Sequence, residues 1–305
     1  MEASLITRLR ERYGNRLQEN VLLSGVTSAR VGGPADVALI AKSAAELEEV
    51  VRYAWELDLP YLLLGAGSNV LASDRGFRGL LIINRARAVQ FTGKNDDPGV
   101  IAESGATLND LAQKASRLGL SGLEWASAIP GSLGGALYGN AGAFGGDMAA
   151  LLASIDLLHR QQGHLTWQVE QMEYTYRSST LKRSKMPAII LSAALSLSKS
   201  SPEAVQSRRH EISLQRRRLQ PPGASMGSIF KNPTGDSAGR LIEAAGLKGK
   251  RIGNAEISLQ HANFLINHGD ARAMHIRQLI DASRQEILTK FGLELELEIE
   301  MVGDW

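Results

Sequence analysis

Between residues 129 and 146 the chain reads IPGSLGGALYGNAGAFGG, with glycine at positions 131, 134, 135, 139, 142, 145 and 146. Glycine loses more backbone freedom on folding than any other residue, so a segment this poor in side chains is costly to order. The cost is usual where main chain must come very close to something flat or charged and its N–H groups become the ligands. A large phosphate-bearing cofactor fits that description.

The flanking patterns describe an α/β chain. Ser43 followed by Glu46 is a capping box, and Leu47, Val50, Val51 and Ala54 recur at helical spacing before Pro60. Apolar runs of strand length at 37–41, 61–64 and 80–83 surround that helix. Thr107 with Asp110 opens a second helix, carrying Leu108, Leu111, Ala115 and Leu118, which leads into the glycines and places them on a long loop. Residues 154–158 and 189–197 read as strands, and Ser201-Pro202 starts a basic helix that stops before Pro221-Pro222-Gly223. After that break come helices at 237–247 and 271–291. Residues 293–301 alternate strictly between apolar side chains and Glu294, Glu296, Glu298 and Glu300, the pattern of a half-buried strand with a solvent-facing glutamate row. Alternation alone selects none of the four glutamates. A domain boundary is expected near residue 200.

Composition narrows the functional classes. A chain of 305 residues can hold two or three subdomains with their own cores. Its net charge of +2 favours no particular polyanion. The absence of cysteine removes disulfides, thiolate metal sites and cysteine nucleophiles, and is compatible with a reducing compartment. The first residues are charged throughout and lack the apolar core of a signal peptide, and the longest apolar run, 188–197, is about half of the ~20 residues a membrane-spanning helix needs. A soluble cytoplasmic protein is expected.

Gly65-Ala66-Gly67-Ser68-Asn69 follows an apolar run as a dinucleotide fingerprint does, but Val70 stands where the third glycine is required and no helix pattern follows. A Rossmann phosphate site is thereby disfavoured; Ser68 and Asn69 offer donors to a phosphate, and a plain turn is the alternative reading. Arg177, in Tyr176-Arg177-Ser178-Ser179, could clamp a carboxylate or phosphate bidentately or be a surface arginine. Ser228, Lys231 and Asn232 gather a hydroxyl, an ammonium and an amide beside Gly227, without the G-x-S-x-G elbow of a hydrolase. His261 and His268 lack partners at metal-ligand spacing, so no metal is expected. The arginines of the basic helix lack interleaved aromatics and read as a solvated face rather than a nucleic-acid site.

Taken in order, the blocks TSARVGGPADV, LLLGAGSNVL, GLEWASAIPGSLGGALYGNAGAFGG, YRSSTLK, GSIFKNP, AGRLIEAAGLKG, ISLQHANFLIN and ELEIEMVG resemble the UDP-N-acetylenolpyruvoylglucosamine reductase family over residues 27–303. Ala128, Trp125 and Glu300 are departures; the last stands where the family commonly has a basic residue. The resemblance implies a non-Rossmann FAD-binding fold of two α/β subdomains over residues 1–200, dividing near residue 85. A smaller substrate-binding domain over 201–305 would follow. The short span between Arg177 and Ser228 is similar to the family's subclass that lacks an insertion over the substrate, which implies a more open site. Non-covalent FAD would be held by Gly65, Ala66, Gly67, Ser68 and Asn69 and by Ile129, Pro130, Gly131, Ser132, Gly134, Gly135, Asn140 and Gly142. By the same resemblance, Arg177, Glu298 and Ser228 carry the chemistry, with Ser228 as proton donor; because an ionised carboxylate would repel the developing charge, Glu298 is expected to be protonated when the substrate is bound. Tyr176, Lys231 and Asn232, and more weakly Lys182, contact the substrate. NADPH would supply the electrons and UDP-N-acetylglucosamine enolpyruvate would accept them, in peptidoglycan precursor synthesis. The alternatives are an FAD-dependent oxidoreductase of the same fold with another substrate, including one with a tethered flavin, and a non-catalytic nucleotide or nucleic-acid binder. A histidine or cysteine tether has no candidate in residues 62–69.

Overall fold

The structure, a computed structural model, describes residues 1–93 and 97–305. The first apolar runs become a mixed four-stranded sheet in the order Gln18–Leu22, Pro34–Ala41, Phe77–Asn84, Tyr61–Leu64. The outer Gln18–Leu22 pair is antiparallel and the other two pairings are parallel. The helix Ala44–Glu56 buries Leu47, Val50, Val51 and Ala54, the four residues whose spacing predicted it. Its cap differs in detail from a reciprocal box: Ser43 Oγ accepts from Glu46 N at 3.1 Å, while the Glu46 carboxylate accepts from Lys42 N at 2.9 Å.

The second unit is a five-stranded antiparallel sheet in the order Gly163–Gln168, Leu152–His159, Ala188–Ser196, Gly99–Glu103, Val89–Thr92. Neither sheet is the parallel, doubly wound sheet of a Rossmann fold. The apolar run at 188–197 forms the central strand, and among the described residues no helix is long and apolar enough to cross a membrane. Helix Leu108–Arg117 is capped by Thr107 Oγ1, which accepts from Asp110 N at 3.2 Å, and packs Leu108, Leu111, Ala112 and Ala115 into this unit's core. The basic helix Pro202–Leu219 lies against it and buries Val205 and Ile212. Its arginine face is only partly solvated. Arg209 turns inward, donating to Ser127 Oγ and Ser116 Oγ at 3.0 Å each.

Residues 129–146 are not a long loop. They contain a short helix, Leu133–Gly139, and a tight hairpin of Gly142–Ala143 with Gly146–Asp147. Tertiary contact overrides weak helix propensity here. Leu133 N donates to Ala106 O and Gly134 N to Ser104 O, both at 2.8 Å, and a Cβ on Gly134 would come within 2.9 Å of the Ser104 Cβ.

The last unit joins helices Ala238–Ala244 and Ala273–Phe291 to a three-stranded antiparallel sheet, Arg251–Ile252, Ala255–Ile257 and Leu265–Asn267. Its core of Leu241, Ile242, Ile276, Leu279, Ile280 and Ile287 continues into Ala29, Val31 and Leu71 of the first unit. The expected strand over 293–301 forms only at its end, where Glu300–Val302 pairs in parallel with Val70–Ala72, preceded by one bridge between Leu297 and Phe230. Leu295 and Ile299 are buried as alternation requires, but Leu293 is exposed and the chain bends at Glu298 and Ile299. That bend brings Glu298 inward.

Candidate active site

Three segments distant in sequence meet around Glu298. The first is the Gly65–Asn69 loop, which leaves the sheet at Leu64 and is fixed from outside: Arg85 Nη1 donates to Gly65 O at 2.6 Å and Ser28 N to Gly67 O at 2.9 Å. Asn69 ties the loop to the chain end, its Nδ2 donating to Glu298 O at 3.1 Å and its carbonyl accepting from Glu300 N at 2.9 Å. The second is the segment through Ser228. Ser228 bridges Phe264, Ile229 O accepts from Glu298 N at 2.8 Å, and Lys231 N donates to Glu296 O at 2.9 Å. Buried Asn263 clamps this segment from the other side, accepting from Phe230 N at 2.9 Å and donating to Phe230 O at 2.8 Å.

The third segment presents Arg177. Thr175 and Ser178 exchange two main-chain bonds of 3.1 Å, leaving Arg177 in left-handed backbone with φ of 56°. Its Nη2 donates to Gly142 O at 2.7 Å and its Nη1 to Asn140 O at 3.4 Å. Its Nε lies 2.8 Å from Glu298 Oε1. The contact is not an aligned hydrogen bond: among the described residues the buried Nε has no hydrogen-bond partner. The Glu298 side chain is 18% exposed, against 74% for Glu296 and 44% for Glu300. Burial raises the Glu298 pKa from the ordinary carboxylate value, and the cations Arg177, Lys182 and Lys231 oppose the rise. The glutamates therefore do not form a plain solvent-facing row: Glu296 pairs with Lys231 at 3.0 Å and Glu300 with Lys182 at 2.7 Å.

The two glycine-bearing segments face each other. A Cβ on Gly65 would fall 2.0 Å from Ser132 Oγ, and one on Gly131 would reach Ser68 Oγ at 3.7 Å. Ile129 and Pro130 lead into this contact. Ser132 stands at the N-cap of Leu133–Gly139 but makes no side-chain cap. Ala66, Gly67, Ser68 and Asn69, and opposite them Gly131 and Ser132, direct main-chain N–H groups to no acceptor among the described residues. Other residues of the glycine-rich segment are occupied within the fold. Gly134 packs on Ser104; Gly142 packs on Asp147 and Gly146; Gly135 sits near Ser132 Oγ. The Asn140 amide donates to Thr175 O at 3.2 Å and accepts from Ala149 N at 3.1 Å.

Beside Ser228 lies a cleft of about 320 Å³, shared with Asn232, Arg240, Gln260, His261 and Asn263. Asn232 Oδ1 accepts from Ala238 N at 3.1 Å, which starts the helix Ala238–Ala244. Tyr176 is 52% exposed, its ring centroid 5.2 Å from the Arg177 guanidinium carbon. His261 packs edge-on against Phe264 and burial lowers its pKa, while His268 pairs with Glu256 at 2.8 Å. Sequence reasoning missed Arg85 and Asn263. Asn263 carried one visible signal, an amide inside the apolar stretch ANFLIN; Arg85 carried none.

Residues 219–302 match the family model of the UDP-N-acetylenolpyruvoylglucosamine reductase C-terminal domain, and residues 35–167 match that of an FAD-binding domain. The chain is 40% identical to the UDP-N-acetylenolpyruvoylglucosamine reductase of Chloroflexus aggregans over 291 residues, which is 94% of this chain and 97% of that one. It is 36% identical to the Bacillus subtilis enzyme of the same name over 98% of both chains. The chain belongs to the UDP-N-acetylenolpyruvoylglucosamine reductase family. The crystal structure of the reductase from Thermus caldophilus superposes with a TM-score of 0.80 at 35% identity, covering 94% of this chain and 98% of that one. As a member of the reductase family the chain takes FAD, and its residues suit the group. Two opposed runs of unengaged N–H groups, the close approach of Gly65 to Ser132 between them, have the donor chemistry that a pyrophosphate requires.

Proposed function

We propose that this protein reduces UDP-N-acetylglucosamine enolpyruvate to UDP-N-acetylmuramate with NADPH, in the cytoplasm, as a step of peptidoglycan precursor synthesis. The observation that carries the reading is the half-buried Glu298 held beside Arg177, with the Ser228 segment bonded to the Glu298 main chain. Bound FAD would supply the two-electron chemistry that links the nicotinamide to the enolpyruvyl group. Residues 1–200, dividing near 85, bind it, and residues 201–305 bind the nucleotide sugar, with helix Pro202–Leu219 as the join packed on the FAD-binding part. Unengaged N–H groups support Ala66, Gly67, Ser68, Asn69, Gly131 and Ser132 as direct contacts. Gly65 sets their spacing. Gly134, Asn140 and Gly142 act by shaping the segment and by placing the carbonyls that hold Arg177. The inward pairing of Arg209 supports reading the basic helix as structural rather than as a nucleic-acid surface.

Addition of hydride to the terminal vinyl carbon drives negative charge onto the adjacent carbon and its carboxylate. Arg177, its guanidinium already fixed by two carbonyls, stabilises that charge without reorganising; such a preplaced contact is worth about 3 kcal/mol. An ionised Glu298 would repel the same charge, so Glu298 acts protonated, as its burial favours. Ser228 delivers the proton to the carbanionic carbon, so that hydride and proton together saturate the double bond. Its hydroxyl is a weak acid, but the enolate-like intermediate is a strong base and the transfer runs downhill. Lys231, Asn232 and Tyr176 line the approach of the nucleotide sugar.

The test is anaerobic. NADPH added to the purified protein should bleach the flavin's visible absorbance, and the enolpyruvyl substrate should restore it. Recovery with oxygen alone would leave an FAD oxidoreductase of this fold acting on another substrate.

A further inference from the structure

The pairing of the alternating glutamates is unequal, and the inequality assigns work to a residue outside the reacting group. Lys231, 24% exposed, pairs with Glu296, a carboxylate 74% exposed, so water screens that pair. The other pair is less open: Lys182 is 17% exposed, as enclosed as Glu298 at 18%, and its ammonium is delivered to Glu300, 44% exposed, rather than to Glu298. The two facing segments meet twice. Arg177 and Lys182 lie five residues apart on one, the latter on the helix Thr180–Ser184, and Glu298 and Glu300 lie two apart on the other. The charged groups facing Glu298 are Arg177, Lys182 and Lys231, and Tyr138 is the titratable neighbour of Glu300.

We propose that Glu300 is a positioning residue that holds the Lys182 ammonium on itself and off Glu298, so that Glu298 faces one cation at contact distance rather than two. The inference rests on the proposed role of Glu298 as a protonated group in turnover. A second cation in contact would favour the ionised carboxylate, and an ionised Glu298 would oppose the charge that Arg177 stabilises. Glu300 thus acts through Lys182 to keep Glu298 able to hold its proton.

The sign is fixed by this arrangement. A group that works protonated loses activity as pH rises through its pKa. In Glu300→Gln, Lys182 is released toward Glu298, and that loss moves to lower pH by about one pH unit. Two readouts are needed on the FAD-loaded protein: the pH dependence of flavin reoxidation by the enolpyruvyl substrate, and the carboxyl carbon-13 titration of Glu298, assigned by its absence in Glu298→Gln. Removing Glu300 also removes a negative charge, so the deciding comparison is made in a Lys182→Met background. If Glu300 acts through Lys182, its effect there falls to a small remainder, and Lys182→Arg, which keeps the cation, restores it. An undiminished shift in Lys182→Met would show that Glu300 acts by its own charge and would overturn the proposal, as would no shift in either background. If the carbon-13 titration moves as stated while the pH profile of reoxidation does not, the positioning stands and the catalytic reading of Glu298 fails.

Discussion

Arg177 and Glu298 set the character of the site one residue at a time. Arg177 occupies backbone that non-glycine residues avoid, at φ of 56°, and the Thr175–Ser178 bond pair holds it there. Its two Nη groups are already spent on carbonyls, so a lysine, with one point charge and no fork, cannot replace it. Arg177→Lys should slow reoxidation by the enolpyruvyl substrate about 100- to 1,000-fold, with bleaching by NADPH much less affected, as stopped-flow absorbance would show. Glu298 makes a second prediction, this time on stability. Its folded-state pKa lies above that of the unfolded chain, so its contribution is fully present below the unfolded value and is lost as pH rises through the folded one. The wild-type Tm should fall across that window relative to Glu298→Gln; parallel curves would remove burial of a proton-binding carboxyl from the account.

The elements show where local sequence speaks and where it does not. Helices Ala44–Glu56 and Leu108–Arg117 were legible because cap and apolar period agree, and each buries the face its spacing marks. Helix Leu133–Gly139 was not, because its glycines have poor helix propensity and its reason lies in Ser104 and Ala106, more than twenty residues upstream. The strand expected at 293–301 failed for a related reason. Alternation reported burial correctly at Leu295 and Ile299 but could not report the bend that turns Glu298 toward Arg177. The Gly65–Asn69 loop yields its own prediction. Gly67 has φ of 61° and a Cβ there would meet Val26 O at 2.2 Å, a backbone atom that cannot yield cheaply. Gly67→Ala should cost roughly 1–3 kcal/mol, lower Tm and weaken FAD binding in fluorescence titration; unchanged affinity would take this loop out of the cofactor site.

Across the whole molecule, the site depends on closing the chain back onto its beginning. Residues 300–302 pair with residues 70–72, and Glu300 N to Asn69 O, Ser73 N to Val302 O and Asp304 N to Gly76 O, each 2.9 Å, fasten the end to the first unit. Ending the chain at Ile299 removes these three bonds, at about 1 kcal/mol net each. It should lower Tm and FAD affinity together, since Asn69 is both anchor and loop residue. The α/β class was legible from pattern, because caps and apolar periods are local causes. The site itself was not legible from local pattern: Arg177 and Glu298 are 121 positions apart, and no periodicity pairs them. Arg177 stood out as a possible anion clamp, but only the resemblance of eight ordered blocks picked Glu298 from its row, and the fold brings the two together.

The central claim is that Arg177, Glu298 and Ser228 serve the second half-reaction and not the first. It is tested most directly with Ser228→Ala, loaded with FAD, reduced anaerobically by NADPH and then mixed with the enolpyruvyl substrate. The account predicts bleaching at close to the wild-type rate, followed by reoxidation slowed by about 100-fold or more. Reoxidation at the wild-type rate would contradict it.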